Sequence, residues 1–454
     1  MEKYVYDLEV YPNYCLGYFL NLATNESVIF ELSDEINQVS ELCNFLEKGN
    51  TLIGYNNHRY DNRILKFIKL FGTGIKTADI YNLSATIIEG KTAPIFQNKY
   101  NSFKNREKNI EICGTSIDLS IFHVKKSLKE LGVSLGHERL QELPFDPHKP
   151  LNASQIDIIK DYCRNDIEIT KKLYESCKTK LEIREHLENR LEKERNYSGY
   201  RKKFVTLSDP QLAADSMALS YCYKEKIDYW SFTGIRKPDY QILEVKNLIF
   251  PDINFQSNPL EILLDFLKTK RLAFKEEIIE RYTFEGVKPF QTLVLDNAYS
   301  FKETVTINKT PYTFGLGGLH SDRSNEIFKA DAGTKIIDAD VASYYPNISI
   351  QNNIKPDFLN DSWLEIYKII TAERIKAKEQ GDKLTADALK IIINSLYGKY
   401  NEKYFYAYDP KTAYRITLNG QLYLLKLIES LELNGYEVIS ANTDGITYLD
   451  RGGK

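Results

Sequence analysis

Apolar and polar positions alternate from the start of the chain. YVYDLEV, CLGYFLNL and SVIFEL each carry the period-two pattern and aromatic or branched content of strands. A helix is predicted over 41–46, and another after TLIGYNN, with Ile64, Leu65 and Ile68 on one face. ICGTSIDLSIF reads as a strand, and 154–180 as a long helix. Strands and helices mixed in this order predict an α/β domain over residues 1–178. The charged stretch 181–195, with Ile183, Leu187 and Leu191 as a narrow apolar stripe, reads as a separate connecting helix. Residues 200–300 offer no motif. TVTIN and PYTFGLGG then predict strands leading to TKIIDADV, and 363–378 and 384–396 predict a helical hairpin turning at Gly381-Asp382. A helix over 422–433 and the strands YEVIS and GITYL close the pattern. The expected organisation is 1–178, a connecting region 179–300, and 301–454.

Length and composition narrow the class. A chain of 454 residues exceeds one ordinary core, and 43% hydrophobic with 27% charged residues is globular. No apolar run reaches membrane-spanning length, and the N-terminus lacks the order of a signal peptide. Six cysteines without a Cys-x-x-Cys pair argue against a zinc site or disulfide framework, so a cytoplasmic location is expected, the host's if the protein is viral. A formal charge of -3 excludes a simple basic nucleic-acid coat, not an enzyme that gathers carboxylates around metal ions.

Two carboxylate sets carry the chemistry. Asp7 and Glu9, two apart in a strand, project from one face. Asp61 opens a helix, where an acid is ordinarily a cap. Tyr162 and Asp166 share a helix face at i, i+4. Together, four acids and a phenol fit phosphodiester hydrolysis with two divalent cations. In the second set, Asp338 and Asp340 end a strand that turns through Ala342-Ser343-Tyr344-Tyr345-Pro346, where backbone N–H groups can cradle phosphates. Lys390, Asn394 and Tyr397 recur at helical spacing in KIIINSLYG and offer a cation, an amide and a ring. A chance match to its five fixed positions is on the order of 10⁻⁴. Arg374 and Lys378 form a further i, i+4 pair, equally readable as a charged helix face.

Asp7-Leu8-Glu9, Asn57 through Asp61, and Tyr162 through Asp166 resemble, in order and spacing, the exonuclease motifs of family B DNA polymerases. Ser127-Leu128-Lys129-Glu130-Leu131 resembles their short motif for the single-stranded primer end. Asp340 through Pro346, Lys390 through Gly398, and Asn442-Thr443-Asp444-Gly445 resemble the palm and fingers motifs. Gly317-Gly318 resemble the linking glycine motif, with Gly315 where its tyrosine is usual. The resemblance implies an RNase H-like exonuclease domain followed by a palm with fingers at about 361–397, a multidomain α/β and α+β protein. It implies Asp7, Glu9, Asp61 and Asp166 as metal ligands with Tyr162 orienting water, and Asn57, Ser127 and Leu128 on DNA. Asp118 receives no metal role. In the palm it implies Asp340 and Asp444 as metal ligands. Ser343, Tyr344, Tyr345, Arg374, Lys390 and Asn394 would bind the nucleotide, with Tyr345 excluding ribose, and Tyr397 and Gly398 would contact DNA.

The implied cofactors are two Mg²⁺ per site, with Mn²⁺ as a substitute. The implied partners are primer-template DNA and dNTPs, with no membrane. The last palm motif carries Asn442 where an acid is usual. The short interval from Asp340 to Lys390 leaves room for little beyond a hairpin and is closest to a compact phage-type enzyme of viral DNA replication. No primer-grip motif or thumb is recognisable after Asp444, so the expectation is a shortened or interrupted gene product or one half of a split polymerase, partnered by a separate C-terminal polymerase piece or replication accessory proteins. Two further readings are a 3′→5′ exonuclease whose polymerase half is inactive or needs a separate C-terminal piece, and a non-catalytic DNA-binding or replisome scaffold.

Overall fold

A computed structural model describes residues 1–123, 125–240, 242–273, 292–294, 302–331 and 333–451. The chain divides into two compact units, Met1–Glu188 with Lys202–Ser208, and Asn189–Arg201 with Asp209–Lys454. Among the described residues, no helix is long and apolar enough to cross a membrane.

The first unit is built on β1 (Lys3–Tyr11), β2 (Tyr14–Asn21), β3 (Ser27–Ser33), β4 (Thr51–Gly54) and β5 (Thr115–Asp118), in the order β3-β2-β1-β4-β5. β1 to β3 are antiparallel, whereas β4 runs parallel to β1, and β5 to β4. Alternation along β1 divides its side chains between two cores. Tyr4, Tyr6, Leu8 and Val10 enter one, with Leu42, Phe45, Ile64, Leu65 and Ile68. Val5 and Tyr11 enter the other, with Ile159, Cys163 and Ile167 from the helix Ala153–Arg190. Asp7 and Glu9 lie between Val5 and Tyr11 and therefore share the second face. A one-residue slip would carry both acids into the first core, where each displaced Leu or Val forfeits about 1.5–3 kcal/mol.

Two helices expected over 154–180 and 181–195 are one helix, Ala153–Arg190, followed by a short one, Glu192–Ser198. Buried Leu181, Ile183, Arg184 and Leu187 carry it past the expected break. The strand expected over 112–122 is limited to β5, because Asp118 accepts from Ser120 N (2.9 Å) and turns the chain.

In the second unit, β6 (Ile242–Glu244), β7 (Arg271–Ala273) and β8 (Thr292–Val294) form a small sheet. The larger sheet contains β9 (Lys302–Ile307), β10 (Thr310–Gly315), β11 (His320–Ser321), β12 (Lys335–Asp340), β13 (Glu437–Asn442) and β14 (Gly445–Asp450). Its order is β12-β14-β13-β11-β10-β9, antiparallel throughout. The expected helical hairpin is formed by Asp361–Glu379 and Lys383–Lys399, the second capped by Asp382 onto Thr385 N (3.1 Å). Tyr367 donates to the Ile393 carbonyl (2.7 Å) and Trp363 Nε1 to Tyr400 Oη (2.8 Å), fixing one helix against the other.

The helix expected over 422–433 begins at Pro410. Its early turns bury polar groups that interrupt the apolar period. Gln421 exchanges two hydrogen bonds with the Gly315 backbone (both 2.9 Å), and Asn419 accepts from Phe250 N (2.8 Å). The region without motifs contains Asp209–Glu225, a helix buried on most sides. There Asp215 is bonded by Tyr200, by Tyr229 (2.8 Å) and by Gln211 (2.6 Å).

Candidate active sites

Elements of the first unit converge on the acidic face of β1. Asp7, Glu9 and Cys163 present ligand atoms that all lie within 4.8 Å of one another. Asp61 and Asp166 stand outside that triad, yet both raise the proton affinity of Asp7 and Glu9. Burial first, then these neighbouring acids, hold Asp7 well above the usual carboxylate range and push Glu9 up to about 8. Burial also raises Asp166, and raises Asp61 to about 7 against the pull of backbone N–H groups of Leu8 and Asp61.

Asp61 is the first residue of the helix Asp61–Phe71, one position after its N-cap, Tyr60. It is 5% exposed, and its Oδ1 is buried without a hydrogen-bond partner. The same holds for Asp166 Oδ1 at 9% exposure. Buried carboxylate oxygens left unbonded are costly, at about 1–3 kcal/mol or more each, and four mutually repelling acids compound that cost. This donor set fits hard divalent cations.

The remaining predicted residues of this unit take varied places. Tyr162 lies against Asp166, and burial with these acids holds its phenol protonated, well above the usual range. Asn57 is 1% exposed, and its Nδ2 donates to the Ile117 carbonyl (3.2 Å), leaving Oδ1 unpartnered. Asp118 has a different duty from the other acids: it accepts from Asn56 N (2.8 Å) and His58 N (3.3 Å), which shapes the loop before Asp61. Ser127 is exposed and caps the helix Leu128–Ser134 in a capping box with Glu130, and Leu128 packs half-buried at the second core.

Sequence reasoning passed over Lys129 as a site residue. Its ammonium sits 5.7 Å from the centre of the Tyr162 ring and lowers the proton affinity of Glu9 and Asp166. Only its place inside the motif at Ser127 could have pointed to it.

In the second unit, the register of β12 on β14 pairs Asp340 with Gly445, next to Asp444 at the β13–β14 turn. The two acids are close enough for Asp340 to raise Asp444, after burial. Mutual repulsion between two acids at one strand end fits a divalent cation there too. The closeness depends on glycine: a Cβ at Gly445 would stand 2.1 Å from Asp340 Oδ1. Asp338 instead accepts from Thr447 Oγ1 (2.8 Å).

The turn itself is strained. Thr443, β-branched, has φ 59°, and Asp444 N donates to the Asn442 carbonyl (2.7 Å) in the closure of a γ-turn. Thr443 N donates to the Leu319 carbonyl (2.8 Å), and a Cβ at Gly318 would meet Thr443 Oγ1 at 2.6 Å. Gly318 thus lets the 317–319 segment clamp the turn that carries Asp444. Asn442 is exposed, and its Oδ1 accepts from the Thr443 hydroxyl (3.1 Å).

Ser343 sits in the left-handed region (φ 49°) before the helix Tyr344–Gln351 and accepts from Arg374 Nη1 (2.6 Å). Tyr344 donates to the Gly420 carbonyl (2.6 Å). Tyr345 is 6% exposed, its ring 4.4 Å from that of Tyr397. The helix Lys383–Lys399 buries Leu389, Ile392, Ile393 and Leu396, while Lys390, Asn394 and Gly398 are exposed and Tyr397 is half-buried.

No family model matches the chain. Over 80 residues, 18% of its length, the chain is 38% identical to DNA polymerase II of Escherichia coli (strain K12), and the match covers 10% of that protein. In fold it is similar to the family B DNA polymerase from the hyperthermophilic archaeon Pyrobaculum calidifontis. That match has a TM-score of 0.52 at 15% identity, over 100% of this chain and 54% of the other. The chain spans about half the length of that structure. At this identity the likeness is one of fold: mixed α/β, multidomain, of the family B polymerase kind.

Proposed function

We propose that this chain is a template-directed DNA polymerase of family B, of a compact phage or viral type, with a proofreading 3′→5′ exonuclease in its first unit. The observation that carries the reading is the presence of two separate acid sets, one on the face of β1 and one at the paired ends of β12 and β14. The partial identity to a DNA polymerase and the likeness of fold support the same conclusion.

In the first unit, Asp7, Glu9, Asp61 and Asp166 would hold Mg²⁺ or Mn²⁺, and in the second Asp340 and Asp444. Cations held by these residues would supply neutralisation of the charge that develops on the reacting phosphate. The chain's own groups do the rest. Tyr162, protonated beside Asp166, donates a hydrogen bond that orients water toward the phosphate. Lys129 adds positive charge at the rim. In the second unit, exposed Lys390 and half-buried Arg374, which donates to Ser343 Oγ, meet the triphosphate, and exposed Asn394 lies one helical turn from Lys390. The ring of Tyr345 limits the space beside the sugar.

Separation of function tests this. Asp7→Ala and Asp166→Ala should each lower digestion of single-stranded DNA by about 10³-fold or more while dNTP binding is retained. Asp340→Asn should abolish primer extension and leave digestion intact. Equal digestion by wild type and Asp7→Ala would overturn the exonuclease assignment.

A further inference from the structure

Cys163 has an ordinary explanation that falls short of its position. At i, i+4 and i+8 with Ile159 and Ile167 it belongs to the apolar stripe of its helix, and a buried cysteine commonly serves as a small hydrophobe. Its thiol, however, stands 3.9 Å from Asp7 Oδ2 and 4.0 Å from the Asp7 carbonyl oxygen. Within 4.8 Å, Asp7, Glu9 and Cys163 can each direct one ligand atom at a common point. Zinc-like ions hold sulfur at about 2.3 Å and carboxylate oxygen at about 2.0–2.2 Å, so their ligand atoms lie about 3.5–4 Å apart. The separation present here meets that requirement with small side-chain adjustments. A second, independent feature points to a cation at this place: Asp61, an acidic neighbour of Asp7 and Glu9, is 5% exposed and keeps Oδ1 buried and unbonded.

Resting on the reading of these acids as a cation site, we propose that Cys163 is a further ligand that makes the exonuclease centre a trap for thiophilic divalent cations such as Zn²⁺, Cd²⁺ and Co²⁺. Hard cations such as Mg²⁺ and Mn²⁺ use only the carboxylates, because a thiol offers them little. A softer ion exchanges the Cys163 thiol proton for a metal–sulfur bond, and the proton leaves to solvent with no change of oxidation state. All six cysteines are free. The centre then has two modes: an oxygen-only site for the cations of catalysis, and a tighter mixed site in which a thiophilic ion is held by Asp7, Glu9 and Cys163 and displaces them.

The test uses the full chain and two metals. Co²⁺ added to metal-free wild type should produce the near-ultraviolet thiolate-to-cobalt charge-transfer band, which Cys163→Ser and Cys163→Ala both lose and Cys113→Ser keeps. Cd²⁺ affinity by competition should fall about tenfold or more in both variants, since loss of even a ligand's partner costs about 10–100-fold. Mn²⁺ binding, read from water-proton relaxation, should stay within about threefold of wild type. A wild type that binds Mn²⁺ but shows no sulfur band with Co²⁺ would overturn the proposal and leave the carboxylate reading standing. A band that survives in both Cys163 variants would overturn it as well. Failure of Mn²⁺ to bind wild type at all would remove the carboxylate reading, and this inference with it.

Discussion

On the proposed reading, selectivity against ribose rests on a single side chain, Tyr345. Its ring is wedged between Tyr397, 4.4 Å away, and Gly420, where a Cβ would come within 3.0 Å of Tyr345 Cε1. A ring held on two sides cannot swing away from an added hydroxyl, which is what exclusion of ribose requires. Tyr345→Ala should therefore raise ribonucleotide incorporation by about 10–100-fold relative to dNTP use, the scale on which a shape-only pocket discriminates. Unchanged discrimination in an actively extending variant would remove Tyr345 from the sugar pocket. The residue types of the two acid sets were readable in the sequence because strand alternation forces Asp7 and Glu9 onto one face. Their surroundings were not. Asn57 lies inside, tied to the Ile117 carbonyl, and Asp118, an acid of similar burial, spends itself on backbone N–H groups. Spacing along a chain does not distinguish an acid facing other acids from one facing amides.

At the scale of elements, the β13–β14 turn stores conformational cost, because a β-branched residue with positive φ is disfavoured by about 1–3 kcal/mol. Two glycines keep it in place from opposite sides, Gly318 under Thr443 and Gly445 under Asp340. Gly318→Ala and Gly445→Ala should each push apart the groups that bring Asp340 and Asp444 together. Primer extension should fall by about 10²-fold or more, since misplacement by about 1 Å has that effect, while digestion of single strands is unaffected. Extension at wild-type rates in a folded Gly445→Ala protein would show that the Asp340–Asp444 approach is not needed. The helical hairpin was legible because its apolar period and the Gly381-Asp382 turn agree with each other. Pro410–Leu433 was half hidden by Asn419 and Gln421, polar groups buried to bond backbone at Phe250 and Gly315. Asp209–Glu225 was wholly hidden, since a helix buried on most sides has no amphipathic stripe to detect.

At the scale of the whole molecule, four acids with raised proton affinity in the first unit couple folding to protons and, on the proposed reading, to cations. Ordinary values are 4.5 for Glu and 3.8 for Asp, whereas the folded chain holds Glu9 at about 8 and Asp61 at about 7, with Asp7 and Asp166 also raised. Between about pH 4.5 and 8 the metal-free folded state therefore binds protons that the unfolded chain has released. Stability rises with pH only where the unfolded state binds more protons, so here it must fall as pH increases through that window. In EDTA, the amides of β1 should lose hydrogen-exchange protection between pH 6 and pH 8.5, after correction for the intrinsic exchange rate. Excess Mg²⁺ binds the ionised carboxylates of the folded state and should restore protection, more at pH 8.5 than at pH 6, where protons compete. Asp7→Asn combined with Glu9→Gln removes two of the responsible groups and should flatten both the pH slope and the Mg²⁺ effect. Protection that holds steady or rises with pH in EDTA, or a slope of equal size in the double variant, would mean that these acids are not the source of the coupling.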